Sequence, residues 1–427
     1  MNEGLILLLM FGLIAIGVPI AVGILAAALV GVWLLRGELG FMNAMLAYYD
    51  GATSFPLIAI PLFILAGSLM NTGGISRRLI AFVSALVGFM RGGLAMVNVG
   101  VSLFFAEISG SAVADVAALG TVLIPEMKRK GYKPTFAAAV TSASASLAII
   151  IPPSIPMIIY AAIANVSVVQ LFVAGIVPGL LGGFSMMALC WWLAVRYDLP
   201  RDERFSLSRV WQTARDAAWA LTLPVIILGS IFGGVVTATE GAGIAVLAAL
   251  IIGVFIYREI RLSEITHALT DGVVQTATVM LLVAASAVLG LYITETQLPQ
   301  RLSAIILSWS REPWIILLIL NVFLFIVGMI LHGAAAIILI TPVVLPLIEQ
   351  VGIDPIHFGI ILTLNIAIGQ QTPPVASVLA TACSIARTDI WATTRTNLPF
   401  IAILVAVVLL VSYVPAVSLG LVRYFYG

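Results

Sequence analysis

Between Ile149 and Ile159 the chain reads IIIPPSIPMII, two consecutive prolines inside a run otherwise apolar enough to cross a membrane. Proline has no amide hydrogen and its ring collides with the preceding turn, so Pro152 and Pro153 must interrupt a helix here and release carbonyl oxygens. A bilayer core holds no water to satisfy them. The same situation recurs in GQQTPPVASVL, at Pro373 and Pro374. Any fold of this chain must therefore place two unwound segments at membrane depth and give them partners.

That the surroundings are membrane follows from composition: 62% of the 427 residues are hydrophobic, 9% are charged and the mean hydropathy is +1.18. These values lie far outside the globular range and predict an all-α polytopic membrane protein with about 10–12 transmembrane helices, each of roughly 20 residues. A net charge of +1 gives no footprint for nucleic acid. The N-terminal run MNEGLILLLMFGLIAIG has no basic leader and stays apolar to about Leu35, which reads as a first span rather than a cleaved signal. Cys190 and Cys383 sit in apolar segments, and the three histidines lack metal-ligand spacing.

The chain repeats itself. At an offset of 221, Pro125, Pro134, Pro152, Pro153 and Pro178 fall on Pro346, Pro355, Pro373, Pro374 and Pro399, and Gly131 falls on Gly352. Upstream, with two residues inserted, Arg78-Leu79 matches Arg301-Leu302 and Asn98-Val99 matches Asn321-Val322. Residues 1–200 and 221–427 are thus two related halves. The loop copies carry opposite charge: PEMKRKGYKP holds Lys128, Arg129, Lys130 and Lys133, whereas PLIEQVGIDP holds Glu349 and Asp354 and no base. Basic loops stay cytoplasmic, so the loops are expected on opposite sides and the repeat is expected to be inverted. The charged stretch at 196–220, with Trp211 and Trp219, reads as an amphipathic linker on the cytoplasmic surface.

Each half also carries glycine-rich polar residues amid about 30 apolar ones, in FFAEISGSAVADVAALG and FIVGMILHGAAAIILI. With flanks of about 12 to 15 residues, too short to span, these predict re-entrant hairpins at about 92–125 and 313–346, tipped at Ser109-Gly110-Ser111 and Leu331-His332-Gly333. Broken helices are expected at about 135–164 and 356–386. A single Pro-Pro could be a plain kink, but interrupted helices at matching positions of an inverted repeat point to a secondary transporter with its site near the midplane. Freed carbonyls and the hydroxyls of Ser142, Ser144, Ser146 and Thr372 are hard ligands that suit sodium, while helix N-termini at the breaks suit a carboxylate. Glu107 could carry a proton or line the cavity. Asp115 could organise its hairpin, His332 could titrate or hold a fixed hydrogen bond, and Glu240 in TATEGAG has no assignment.

The stretches PLFILAGSLMNTGGISRRL, RGGLAMVNV, SGSAVADVAALGTVLIPEM, IIPPSIPMIIY, GIDPIHFGIILTLNIAIG and QTPPV resemble the large membrane subunit, the M component, of tripartite ATP-independent periplasmic (TRAP) transporters. The resemblance implies an elevator-type, ion-transporter-like fold. It also implies a small four-helix Q subunit and a periplasmic substrate-binding P protein as partners, in a bacterial inner membrane. It implies uptake of an organic acid, such as a C4-dicarboxylate, driven by sodium (Na+) at two ion sites. By the same resemblance one sodium site would use Ser109, Ser111, Ala148, Ile151 and Pro153, and the other Gly328, Gly369, Thr372 and Val375. Substrate would meet Ser109, Gly110, Ser111, Pro152, Ser154, Pro373 and Pro374, with Glu107, Asp115 and His332 in coupling or cavity roles. A proton-coupled carrier using Glu107 or His332 is the alternative, and a membrane enzyme pairing Glu107 with Asp115 the remoter one. The chain departs from the family pattern at Glu107, Ala148 and His332-Gly333, and in PPVASVLATACSIA, which replaces a more usual Pro-Pro-Val-Gly run.

Overall fold

The computed structural model describes residues 2–199, 205–260 and 262–427, without the side chains of residues 2–3, 107–109 and 262–264. The described residues are helical throughout, with no β-sheet. Among the described residues, seven helices are long and apolar enough to cross a membrane, or eight if the bent pair Leu207–Asp216 and Ala218–Phe232 is one span.

Beyond these seven or eight, several of the apolar runs behind the expected 10–12 spans fold as shorter helices. The N-terminal run is one of these: Asn2–Ala15 and Ile20–Arg36 are separate helices packed on each other, divided where Gly17 adopts φ +91° and Pro19 withholds its amide. The hairpin flanks depart in the other sense. They are helices of 17 to 18 residues, Gly93–Ser109 with Ala112–Arg129 and Pro313–Ile330 with Gly333–Gln350, not 12 to 15. Each is about 27 Å long at 1.5 Å per residue. The turns between them fall at Gly110 and at Leu331-His332, whereas Pro125, Pro342 and Pro346 lie inside helices and end nothing.

Depth follows from the neighbouring broken helices. Pro134–Ala145 and the 3-10 turn Ser146–Ile149 rise about 26 Å, after which Ile155–Ala164 adds about 15 Å. The first tip meets this chain at the break: an atom added at the Cβ position of Gly110 would stand 3.0 Å from the Ile155 nitrogen and 3.4 Å from the Pro153 carbonyl oxygen. It therefore ends partway up the broken helix, and length alone does not make its flanks full spans.

The far half of each broken helix belongs spatially to the other repeat. Ile155–Ala164 packs on Gly333–Gln350, and Ser377–Ala386 packs on Ala112–Arg129 and Pro134–Ala145. The Tyr160 hydroxyl donates to the Pro355 carbonyl at 2.6 Å, at the base of the second hairpin. Lys128 Nζ donates to the Ala386 carbonyl at 3.1 Å, at the base of the first. Each hairpin base thus lies beside the far end of the opposite broken helix, so the hairpins enter the bundle from opposite ends.

Side chains repeat the relation. Ser144 donates to Asn98 Oδ1 at 3.1 Å, and Asn365 donates to Asn321 Oδ1 at 2.7 Å. Ser144 and Asn365 are equivalent at the repeat offset, and the two asparagines are equivalent once the two-residue insertion is added. All four side chains are buried, where a polar group without a partner costs about 1–3 kcal/mol, so these contacts fix how each hairpin seats on its broken helix.

Candidate functional site: a cavity between two tips

The first break shows where the prolines send their carbonyls. Pro152 and Pro153 cannot donate to the carbonyls of Ala148 and Ile149 four residues back. Ser154 Oγ takes the Ile149 carbonyl at 2.5 Å and also accepts from the Met157 amide at 3.4 Å, capping Ile155–Ala164. In the second half, Pro373 and Pro374 withhold donors from Gly369 and Gln370. The Thr372 amide donates to the Gly369 carbonyl at 2.8 Å and the Val378 amide to the Gln370 carbonyl at 3.0 Å. Both breaks carry a cis peptide bond between their prolines.

Each break is held against its own hairpin. The Val375 amide donates to the Met329 carbonyl at 3.2 Å. Gly328 and Gly369 stand back to back: an added Cβ on Gly328 would lie 3.0 Å from the Ile366 Cα and 3.2 Å from the Gly369 Cα. Glycine is required here because backbone meets backbone.

Both tips open on one cavity of about 400 Å³. Gly110, Ser111 and Ala112 line it from the first tip, His332, Gly333 and Ala334 from the second, and Ile149, Ile155, Pro156 and Gln370 from the two breaks. The opposite wall is Ile64 with Val274, Gln275, Thr278 and Val279 of the long helix Leu262–Glu295. Three helix N-termini converge on this space, those of Ala112–Arg129, Ile155–Ala164 and Gly333–Gln350. Unpaired first-turn amides and the positive helix end make each an anion-favouring surface. No lysine or arginine is among the described residues that line it. The Gln370 amide nitrogen, buried and without a hydrogen-bond partner, lies beside Gly333.

The expected site residues divide by position. Gly110, Ser111 and His332 face the cavity, with His332 exposed at the start of Gly333–Gln350. Ala148, Pro153 and Ser154 are buried behind it, and Ile151 and Pro152 line a separate apolar pocket with Val83, Phe104 and Leu180. Gly328, Gly369, Thr372, Pro373, Pro374 and Val375 form the second break and its seat, away from the cavity lining. Asp115 is fully buried in the first turn of Ala112–Arg129, a favourable place for a carboxylate. Glu107 and the side chain of Ser109 lie outside the described residues, as do residues 200–204 of the linker. Glu240 has a structural role, closing a capping box with Thr237 at the start of Ala238–Leu250. Gln275, Thr278 and Gln370 were not anticipated. Adjacent amides at Gln370-Gln371, in an apolar run before Pro373, were the available signal.

Residues 7–417 match the family described as tripartite ATP-independent periplasmic transporter, DctM component. The chain belongs to this DctM family. It is 40% identical over 373 residues to the C4-dicarboxylate TRAP transporter large permease protein DctM of Pseudomonas aeruginosa, covering 87% of each chain. To the 2,3-diketo-L-gulonate TRAP transporter large permease protein YiaN of Escherichia coli it is 37% identical over 407 residues, covering 95% of each. The isethionate TRAP transporter permease protein DctMQ of Oleidesulfovibrio alaskensis is 38% identical, and there the match covers 95% of this chain but 64% of the longer protein. A crystal structure of the YdaH transporter of Alcanivorax borkumensis shares the fold, with a TM-score of 0.66 at 16% identity over 90% of each chain. As a DctM-family member, the chain is a multi-pass membrane component of a transporter.

Proposed function

We propose that this chain is the large permease subunit of a sodium-coupled organic-acid importer in a bacterial inner membrane, working with a small membrane subunit and a periplasmic binding protein. The observation that carries the reading is the single cavity into which both hairpin tips and three helix N-termini open. A carboxylate there would be held by backbone amides and by neutral donors such as Ser111, Gln275 and Gln370, without a basic side chain. The relatives named for C4-dicarboxylate, 2,3-diketo-L-gulonate and isethionate all transport small anions by name, which supports an acid as the cargo. The joined name of the DctMQ relative supports a separate small subunit here.

Sodium would sit behind the cavity, where Pro152 denies the Ala148 carbonyl its helical donor and where the second break turns at Gly369–Thr372. Among the described residues no cluster of three His, Cys, Asp or Glu could hold a metal ion, so carbonyl and hydroxyl oxygens are the ligands on offer. Each sodium entering down a potential of roughly 100 mV supplies about 2.3 kcal/mol. The basic loop at Lys128–Lys133 would face the cytoplasm. Transport would proceed by movement of the hairpins and broken helices, as one unit, past the wall formed by Leu262–Glu295.

Uptake of a candidate acid into proteoliposomes, with both partner proteins present, tests the reading. Accumulation should require an inward sodium gradient. Accumulation that follows a proton gradient and ignores sodium would favour coupling through Glu107 or His332 instead.

A further inference from the structure

Two amphipathic helices, Ile75–Val87 and Leu298–Trp309, each lead from the outer helices into a hairpin. Their starts are equivalent. The N-caps Gly74 and Gln297 match at the repeat offset plus the two-residue insertion, and both adopt the left-handed conformation, with φ +70° and +54°. The helices that precede them end at Thr72 and Glu295, which match at the same spacing.

An ion pair ties down each start. At the first, Glu259 Oε1 accepts from Arg77 and Arg78, both at 2.7 Å. The Glu259 carboxylate lies so close to Gly74 that a Cβ there would collide with it. The Arg78 guanidinium also stacks 3.8 Å above the Tyr257 ring, and its Nη1 donates to the Gly74 carbonyl at 3.0 Å. The Tyr257 hydroxyl accepts from the Ala220 amide and donates to the Asp216 carbonyl, both at 3.1 Å, so the knot includes the 60° bend between Leu207–Asp216 and Ala218–Phe232. At the second start, Arg36 pairs with Glu295 at 3.0 Å.

The two knots are related by the repeat, with the signs exchanged. Arg36 and Glu259 match at the same spacing as the N-caps, each at or just beyond the end of an outer helix. In one half that position is acidic and meets arginines on the lead-in helix. In the other it is basic and meets a glutamate at the end of the helix before. In the first half the carboxylate lies beside the N-terminus of the lead-in helix, where the helix end favours it; in the second, Glu295 ends its own helix, whose negative end disfavours it, and Arg36 offsets that charge. The contact has been kept while the residues making it have not.

We propose that Glu259 with Arg77 and Arg78, and Arg36 with Glu295, are positioning contacts for transport. They clamp the two points at which the lead-in helices leave the outer helices, so that the hairpin unit moves about joints of fixed register. This rests on the moving-unit reading given above. None of these groups lines the cavity, so their loss is expected to slow the movement and leave binding alone.

The test is sodium-driven uptake by the reconstituted complex carrying Glu259→Gln, Glu259→Asp, Arg36→Gln, or the exchange pair Arg36→Glu with Glu295→Arg. Maximal rate should fall by up to about fivefold in Glu259→Gln, which loses two arginine partners, and by less in Arg36→Gln, whose arginine is half exposed. KM for substrate and the sodium half-saturation should hold, while Glu259→Asp and the exchange pair should recover the rate. Melting temperature and yield, measured on the same samples, separate a slow protein from a misfolded one. Unchanged rates in the Gln variants, a fall that comes through KM, or an exchange pair as slow as Arg36→Gln would each overturn the proposal. Distances between spin labels on Leu298–Trp309 and on Ile390–Tyr413 in the otherwise wild-type complex, with and without sodium and substrate, check the underlying reading. One distance in all conditions would sink that reading and the proposal with it, whereas two distances with unchanged variant rates would sink the proposal alone.

Discussion

The two breaks do the same job with different chemistry. In the first half a side chain closes the break: Ser154 takes the carbonyl that Pro153 orphans and caps the next helix, and the tip seats through Gly110 at φ +57°. In the second half backbone closes it. Amides of Thr372 and Val378 recapture the carbonyls, and the hairpin seats one turn below its tip, where Gly328 and Gly369 stack with no side chain between them. The tip itself, Leu331-His332, is extended. What the repeat preserves is a hairpin pressed onto an unwound segment, and any residue that closes the backbone will do. A break closed by a side chain can be weakened by degrees, but a seat made of touching backbones fails once something is inserted.

That contrast predicts unequal damage. Gly369→Ala should be the most severe change, because its methyl would collide with the Gly328 backbone. We expect a stability loss of about 1–3 kcal/mol or more, read as thermal denaturation of purified protein, with uptake close to background. A Gly369→Ala protein that transports normally would remove the distinction between the halves.

Next come the matching asparagine contacts. Asn365→Ala and Asn98→Ala each leave buried partners unsatisfied and should cost about 1–3 kcal/mol, measured by the same thermal assay. Similar costs would sharpen the view that these contacts are equivalent. Comparable is Ser154→Ala, which loses a cap and leaves the buried Ile149 carbonyl without its partner, at about 1–3 kcal/mol, with the break kept by its prolines. Least costly to the fold is Gln275→Ala on the opposite wall. It should leave thermal stability unchanged within about 0.5 kcal/mol, as for an exposed substitution, and raise KM for uptake. An unchanged KM would remove that wall from the substrate path.

Much of the architecture could be read from the chain. Composition gave the membrane class, and the repeated prolines marked the breaks at Pro152-Pro153 and Pro373-Pro374, because proline acts on its own backbone wherever it sits. Hairpin tips were legible from glycine and polar residues in apolar surroundings. Span number was not, since hydropathy cannot tell a crossing helix from a short one. Ile155–Ala164, only ten residues long, is nearly as apolar as Pro313–Ile330. The far wall was hidden for a different reason. Gln275 and Thr278 sit on Leu262–Glu295, far along the chain from the first hairpin, with nothing local to distinguish them from other polar residues on a long helix. Only packing brings them to the tips.

One cavity is bounded by both tips and by Leu262–Glu295, and the proposed path of the cargo runs through it. The most direct test of that path is thiol labelling at Ala114→Cys and Gln275→Cys, made separately with Cys190 and Cys383 replaced by serine. Both positions should react with a water-soluble thiol reagent, uptake should stop on labelling, and sodium with substrate should slow the reaction at both. Labelling that leaves uptake intact, or a reaction at either position that ignores substrate and sodium, would contradict a shared transport cavity.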